Sequence, residues 1–158
     1  MPAKTVAVAL AFAFAAPAAM WLDVPFVKQG RNGCGPASVS MVLAYWRNGE
    51  IEAPRQSGEM TRASEMERYF KDAGFRTFAF EGEWSDLEQH LAKGRPLIVG
   101  LGKSRHYVVV TGVDGARELV SVNDPARRKL LQLDRKTFEQ DWKASGRWTL
   151  LALPPQKQ

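Results

Sequence analysis

Five short apolar segments in the second half of the chain each match the length and composition of one β-strand. Two turn-forming pairs, Asp114-Gly115 and Asp124-Pro125, separate three of these segments, and the first pair predicts a tight hairpin. Helical patterns dominate before the segments and do not alternate strictly with them. This order predicts an α+β fold in which an antiparallel sheet packs against an N-terminal helical half. The segments are 96–101, 106–113, 118–123, 129–133 and 147–153.

The helical patterns are separated by stretches that contain polar residues, glycine and proline. The most apolar helix is expected from about Gly35 to Trp46, with Pro36 suited to its first turn. Residues 47–60 are expected to form a polar loop, and residues 21–29 a short edge strand or an extended arm. The other predictions are helices at Ala63–Ala73 and Arg135–Lys143, a strand at Phe75–Phe80, and a helix that begins with the capping-box spacing of Ser85 and Glu88 and ends near Lys93.

The first eighteen residues differ from the rest of the chain. Lys4 precedes an apolar run from Thr5 to Ala16, and Ala16-Pro17-Ala18 has the small-residue pattern that signal peptidase cleaves. The run is too short to span a bilayer comfortably; a buried N-terminal helix is the alternative. We expect a signal peptide at residues 1–18, export of a bacterial protein to the periplasm or the medium, and no stable membrane anchor after cleavage.

Residues 19–158 are expected to form one domain. A chain of 158 residues, 45% of them hydrophobic and 25% charged, can bury a sizeable core. The net charge of +5 is mild, and basic residues are dispersed apart from the triplet Arg127-Arg128-Lys129. Such a triplet is typical of a solvated turn, so no nucleic-acid partner is expected.

Cys34 is the single cysteine of the chain, so it cannot form an intrachain disulfide. It must be a small buried residue, a site of intermolecular pairing or a reactive thiol. Its position in Gly33-Cys34-Gly35-Pro36, at the start of the most apolar helix, favours a thiolate. Unpaired backbone amides and the positive end of the helix dipole lie there. The glycines on either side also leave room for the backbone of a substrate.

Two histidines are available as a base for this cysteine. His90 lies among charged residues of a predicted helix, where a surface position is expected, whereas His106 opens the most apolar predicted strand. If the loop at Asp114-Gly115 has two residues, His106 lies opposite Asn123; if it has three, His106 lies opposite Asp124. Either residue would orient the imidazole ring, as the third member of a catalytic triad does. The sequence does not choose between these two partners.

Four short motifs follow one another along the chain: Val24-Pro25-Phe26-Val27-Lys28-Gln29, Gly33-Cys34-Gly35-Pro36-Ala37-Ser38, His106-Tyr107-Val108-Val109-Val110 and Val122-Asn123-Asp124-Pro125. A short helix with Phe138 and Trp142, followed by a final strand, completes the pattern. Together these features resemble the double-glycine (bacteriocin-leader-processing) peptidases and their stand-alone relatives, which are papain-like cysteine peptidases. The resemblance covers essentially all of residues 19–158.

The resemblance implies a papain-like fold and a cysteine peptidase that forms a thioester intermediate. Cys34 would be the nucleophile, His106 the general base and then the general acid, and Asp124 the residue that orients His106. Gln29, which alone would be taken for an exposed strand-end residue, would donate its side-chain amide to the oxyanion together with the backbone N–H of Cys34. The expected partner is a peptide or protein substrate. No metal or organic cofactor is expected, since one cysteine and two histidines lack a recognisable zinc spacing.

The same residues leave two other functions open. A transpeptidase or transamidase would use the same nucleophile with an amine acceptor instead of water, and a papain-like domain could bind a peptide without turning it over. Binding alone needs none of Cys34, His106 and Asp124, so hydrolysis of a peptide or isopeptide bond is the preferred function. The best-known members of the family are domains of membrane exporters that cut a leader after two glycines. The expected export of this chain argues against the same substrate.

Overall fold

The computed structural model describes residues 19–30, 33–50 and 62–156. The predicted signal peptide, residues 1–18, lies outside the described residues, as do positions 51–60 of the predicted loop. Within the described part of the chain, no helix has the length and apolar character that a bilayer crossing requires. The elements are β1 (Met20–Trp21), α1 (Cys34–Trp46), α2 (Ala63–Asp72), β2 (Arg76–Glu81), α3 (Trp84–Ala92), β3 (Leu97–Leu101), β4 (His106–Asp114), β5 (Leu119–Asn123), β6 (Leu131–Asp134), α4 (Arg135–Ala144) and β7 (Trp148–Leu153).

The strands form one antiparallel sheet in the order β2-β7-β3-β4-β5-β6, with β1 paired to β4. The pairing of β3 with β4 ends at Val110 on one side and at His106 on the other. Beyond Val110, β1 takes the same edge of β4 at Gly112 and Val113. His106 therefore occupies the first position of a strand that is held on both edges.

Each face of the sheet carries its own hydrophobic core, because successive side chains of a strand point to opposite faces. Tyr107 and Val109 of β4 pack with residues of α1 and α2, whereas Val108 and Val110 pack with residues of α3 and α4. The predicted α+β class, with an antiparallel sheet and an N-terminal helical half, is confirmed. The structure adds that the N-terminal helices cover one face only, and that α3 and α4 cover the other.

The helix α1 is the most deeply buried, with ten consecutive buried residues from Gly35 to Ala44. A helix that is apolar on all sides is stable only when it is surrounded by protein. It begins at Cys34, one residue before the predicted start. Gly33, which precedes it, has φ +81°, in the left-handed region that favours glycine. This glycine lets the chain turn sharply into the helix directly before the cysteine.

Of the segment 21–29, which was expected to be a short edge strand or an extended arm, only Trp21 belongs to a strand. The remaining predicted helices and strands lie within two residues of their expected limits, but the predicted capping box of Ser85 and Glu88 is wrong. The helix α3 begins earlier, at Trp84, whose side chain is 7% exposed. The carboxylate of Asp86 accepts a hydrogen bond from the backbone N–H of Glu83 (2.7 Å), and Glu88 accepts one from Trp84 Nε1 (2.9 Å). The capping box is thus formed by Glu83 and Asp86, two residues before the predicted pair.

The predicted register of the hairpin between β4 and β5 is also wrong. Asp114 pairs with Leu119, so the loop contains four residues, and the register shifts again between Val110 and Gly112. The carboxylate of Asp114 accepts a hydrogen bond from the backbone N–H of Arg117 (3.0 Å), which stabilises this longer loop. As a result Asn123 pairs with Val109, and neither Asn123 nor Asp124 lies opposite His106 in the ladder.

Candidate active site

The thiol of Cys34 lies where the N-terminus of α1 meets the start of β4. The backbone N–H of Tyr107 donates a hydrogen bond to Cys34 Sγ (3.4 Å). One turn further along α1, the buried hydroxyl of Ser38 donates to the backbone carbonyl of Tyr107 (3.3 Å). Both polar groups of the Tyr107 backbone are thus bonded to α1. This pairing fixes the cysteine relative to the neighbouring His106.

His106 and Asp124 form a close pair despite the changed register. His106 Nε2 and Asp124 Oδ1 are 2.8 Å apart. Asp124 follows the last residue of β5, and its carboxylate also accepts a hydrogen bond from the backbone N–H of Ala126 (2.9 Å). The side chain of Asp124 is only 8% exposed, whereas that of His106 is 34% exposed. A largely buried carboxylate therefore holds one nitrogen of an imidazole ring that is one-third exposed.

Asn123, the other residue that the sequence offered as a partner for His106, is engaged elsewhere. Its Nδ2 donates to the carbonyl of Val24 (3.0 Å), and its Oδ1 accepts from the backbone N–H of Leu130 (3.0 Å). Asn123 is fully buried. It ties the N-terminal arm and the loop before β6 to the end of β5, while Asp124 is the residue that contacts the imidazole.

Electrostatic coupling between Cys34 and His106 favours their charged forms. The hydrogen bond between their side chains has the largest effect on His106 and raises its pKa. Burial lowers the pKa and Asp124 raises it further, so that the pKa of His106 is about 9. Burial raises the pKa of the Cys34 thiol, but hydrogen bonds from His106 and from the Tyr107 backbone outweigh it, so the thiol pKa is lowered. Because Nε2 of His106 is hydrogen-bonded to Asp124, Nδ1 is the nitrogen that remains available to the Cys34 thiol.

Gln29 lies beside the loop that carries Asp124. Its backbone N–H donates to the carbonyl of Pro125 (2.9 Å). The residue is half-buried, and its side-chain oxygen Oε1 is buried without a hydrogen-bond partner among the described residues. The structure thus brings the N-terminal arm to the Asp124 loop. The donation of the Gln29 amide to an oxyanion stays a prediction.

His90 does not belong to this site. It lies on α3, half-buried, with its ring 6.2 Å from that of Phe80. Burial lowers the pKa of His90, and the nearby charge of Arg95 lowers it further. His90 thus lies outside the site, as expected, and is half-buried on α3. Among the described residues, no group of three histidine, cysteine or acidic side chains is placed to hold a metal ion.

A cavity of about 450 Å³ opens beside the His106–Asp124 pair. Gly102, which directly follows β3, is part of its wall. Cys34 is not among the residues described as lining the cavity. The lining residues are Leu101, Gly102, His106, Asp124, Ala126, Arg127, Leu131, Leu133 and Asp141.

Sequence reasoning missed the residues that hold the site together. The backbone of Tyr107 and the hydroxyl of Ser38 anchor Cys34 to β4, yet Ser38 looks like an ordinary small residue of a buried helix. A signal was present in the sequence: Ser38 lies one turn after Cys34, and a hydroxyl on that helix face needs a partner when it is buried. The leucines of β6 that line the cavity carried no such signal.

The fold and the contacts at the site define a class of protein. A cysteine at the N-terminus of a buried helix, packed against an antiparallel sheet that carries a histidine and its acidic partner, is the arrangement of papain-like cysteine peptidases. The model of the Peptidase_C39-like family matches residues 21–150. The chain belongs to this family.

Solved structures support the same fold. The double-glycine-motif protease of an AMS/PCAT transporter, determined with its leader peptide, shares 21% identity at a TM-score of 0.66 and covers 86% of this chain and 95% of that chain. A protein described as a C39-like peptidase from Bacillus anthracis shares 18% identity at a TM-score of 0.65, with coverage of 89% and 100%. The peptidase domain of Streptococcus ComA shares 22% identity at a TM-score of 0.63 and covers 82% of this chain and 98% of that chain. No curated protein matches the chain.

Proposed function

We propose that the protein is a cysteine peptidase that cleaves a peptide or isopeptide bond through a thioester intermediate. One observation carries the proposal: Cys34, His106 and Asp124 form a continuous set, with the His106–Asp124 contact at 2.8 Å and the thiol held against the start of the same strand. The raised pKa of His106 and the lowered pKa of Cys34 favour an ion pair that is ready for nucleophilic attack.

In the first step, Sγ of the Cys34 thiolate attacks the carbonyl carbon of the substrate and forms a carbon–sulfur bond. The negative charge that develops on the carbonyl oxygen is stabilised by the backbone N–H of Cys34 and by the side-chain amide of Gln29. One such donor is worth about 3 kcal/mol of the barrier. Nδ1 of His106 then gives its proton to the departing nitrogen as the carbon–nitrogen bond breaks, and the product amine leaves.

In the second step, water replaces the amine. Nδ1 of the now neutral His106 accepts a proton from the water while the water oxygen bonds to the thioester carbon. The carbon–sulfur bond breaks, which releases the carboxylic acid and regenerates the Cys34 thiolate beside the imidazolium. Asp124 accepts a hydrogen bond from Nε2 throughout, so the ring keeps one orientation and its charged form is stabilised.

The substrate that we propose is a segment of peptide or protein. One of the similar structures holds a leader peptide. In this chain the wall beside His106 is open, since a third of the imidazole side chain is exposed. A peptide backbone entering there reaches Gly33, which is partly exposed directly before Cys34 and leaves room for a close approach.

Turnover of a proteome-derived peptide library, followed by mass spectrometry, tests this proposal. We expect the protein of residues 19–158 to cleave library peptides, and Cys34→Ala and His106→Ala to lose cleavage by at least 10²-fold, on the order of general acid–base and nucleophilic contributions. His90→Ala is the matched control, since it removes the other histidine, and it should retain activity. Tight peptide binding by the unaltered protein without any cleavage would make it a binding domain instead.

We further propose that residues 1–18 are a cleaved signal peptide and that the protein acts in the periplasm or outside the cell. The support is the Lys4 charge, the apolar run after it and the small residues at 16–18. The test is expression of the full chain in a bacterium, cell fractionation, and intact-mass measurement of the exported protein. A mature N-terminus near Ala19 is expected. Cytoplasmic protein that keeps its first eighteen residues would contradict the proposal.

A further inference from the structure

The cavity beside His106 has a defined position relative to the reaction. Among the described residues, His106 and Asp124 line it and Cys34 does not. In the proposed mechanism the acyl group becomes bonded to Cys34, and the departing nitrogen must reach His106 to receive its proton. The residue that carries this nitrogen therefore lies on the His106 side of the scissile bond. The cavity borders this same histidine and its partner Asp124.

The floor of the cavity is apolar. Leu101, Leu131 and Leu133 line it, and all three pack against the core on the α3 and α4 face. Leu131 is buried, whereas Leu101 and Leu133 are partly exposed. An apolar side chain that enters would remove this leucine surface from water, which favours binding by about 25 cal/mol per Å².

The charges around the cavity do not favour a charged side chain. Arg127 and Asp141 line it with opposite signs, and His106 and Asp124 form an ion pair in the reactive state. The four charges therefore sum to zero. A charged side chain would lose its hydration on the leucine floor without gaining a net opposite charge. A volume of about 450 Å³ is ample for a large apolar side chain and the backbone that follows it.

We propose that this cavity is the subsite for the substrate residue that carries the leaving amine, and that it selects a large apolar side chain at that position. The inference rests on the proposed peptidase function and extends it to specificity on the leaving-group side. We expect Leu133, in the middle of β6, to control this selection. It is partly exposed, so its replacement should disturb the core less than replacement of the buried Leu131.

The experiment profiles cleavage sites in the same peptide library for the unaltered protein, Leu133→Ala and Leu133→Phe. Leu130→Ala is the matched control, since Leu130 belongs to the same segment, is 37% exposed and does not line the cavity. Thermal melting of each variant verifies that it is folded. The two Leu133 substitutions have opposite effects on volume, so a general loss of stability cannot imitate the expected pair of shifts.

The unaltered protein should prefer leucine, isoleucine, methionine or phenylalanine over glycine, aspartate or lysine at the leaving residue by about 10-fold or more. Leu133→Ala should shift this preference toward tryptophan and phenylalanine, and Leu133→Phe toward alanine and glycine, each by about 10-fold. The preference at the residue that supplies the acyl carbonyl should stay unchanged.

Two results would overturn the inference in distinguishable ways. Cleavage with a leaving-residue profile that ignores both Leu133 substitutions, or that shifts equally with Leu130→Ala, refutes the subsite and leaves the peptidase function standing. An unaltered protein that cleaves no library peptide refutes the peptidase function, and the subsite is rejected with it.

Discussion

At the residue scale, the proposed mechanism predicts that the coupling between Cys34 and His106 sets the pH range of the reaction. The thiolate forms below the ordinary pKa of a thiol, and the imidazolium persists above the ordinary pKa of 6.5, up to about 9. The first step needs both charged forms. We expect kcat/KM to fall on the alkaline side with an apparent pKa near 9, as His106 loses the proton that the leaving nitrogen requires. Peptide turnover from pH 5 to 10.5 measures this limb.

Removal of the His106 imidazole should reverse the downward shift in the pKa of the Cys34 thiol. In His106→Ala the burial of Cys34 still raises its pKa, while the largest stabilisation of the thiolate is gone. We expect the rate of iodoacetamide alkylation of Cys34 to rise at a distinctly higher pH in this variant than in the unaltered protein. His90→Ala should match the unaltered protein. Equal apparent pKa values in His106→Ala and the unaltered protein would refute the ion pair.

Asp124 and Asn123 are adjacent in sequence, yet their replacement should have different consequences. Asp124→Ala removes the hydrogen bond to His106 Nε2, and we expect kcat to fall by about 10²-fold or more. Asn123→Ala leaves the Val24 carbonyl and the Leu130 N–H without their partner, each at a cost of roughly 1–3 kcal/mol where buried. Its melting temperature should therefore drop while the folded fraction keeps its kcat.

Comparing kcat, corrected for folded protein, with the melting temperature separates the two roles. A variant Asn123→Ala that is stable but inactive would show that Asn123 acts on the reaction.

These two residues also show how much of the site the sequence could predict at this scale. Cys34 and His106 stood out by their scarcity and their positions, but the choice between Asn123 and Asp124 depended on a register that a bulge and a four-residue loop had changed.

At the element scale, close packing between neighbouring segments explains which glycines can be replaced. Gly82 joins β2 to α3, and a Cβ built there would lie 2.6 Å from both Thr149 Oγ1 and Trp142 Cζ2. Because the buried Trp142 cannot move without disturbing the core, we expect Gly82→Ala to destabilise the fold by about 1–3 kcal/mol. Urea unfolding measures the change.

The control for this prediction is Gly30→Ala. A Cβ at Gly30 meets no heavy atom of another described residue within 4 Å, and its φ does not lie in the left-handed region. We expect its free energy of unfolding to change by less than about 0.5 kcal/mol, as at a surface position. A similar loss in both variants would attribute the effect to the loss of glycine itself rather than to the contact with Trp142.

The elements themselves were readable because each one carries its own local pattern. The strand segments are apolar runs between turn residues, and α1 combines Pro36 in its first turn with apolar residues at helical spacing. What the sequence could not supply was contact between distant segments. The anchoring of Cys34 depends on the Tyr107 backbone, 73 positions away.

At the scale of the whole molecule, the sheet connects the two halves of the structure. Neighbouring residues of β4 contribute to opposite cores, so neither core can form fully without the strand that both share. The site lies at one end of this shared strand, with the cysteine supplied by a helix on one face and the cavity leucines packed on the other. Rigid placement of Cys34 against His106 therefore depends on the packing of both faces.

This dependence makes an expectation about unfolding. Phe70 lies in the α1 and α2 core and Phe138 in the α3 and α4 core, and both are fully buried. Each change to alanine should cost about 3–5 kcal/mol. If the domain unfolds as one cooperative unit, either variant should shift the whole urea transition.

Two local probes follow this transition: access of a thiol reagent to Cys34 on one face of the sheet, and pulsed hydrogen exchange of the α4 amides on the other. We expect the midpoints of the two probes to coincide in each variant. Phe70→Ala that exposes Cys34 while α4 stays protected would show instead that the two faces unfold separately.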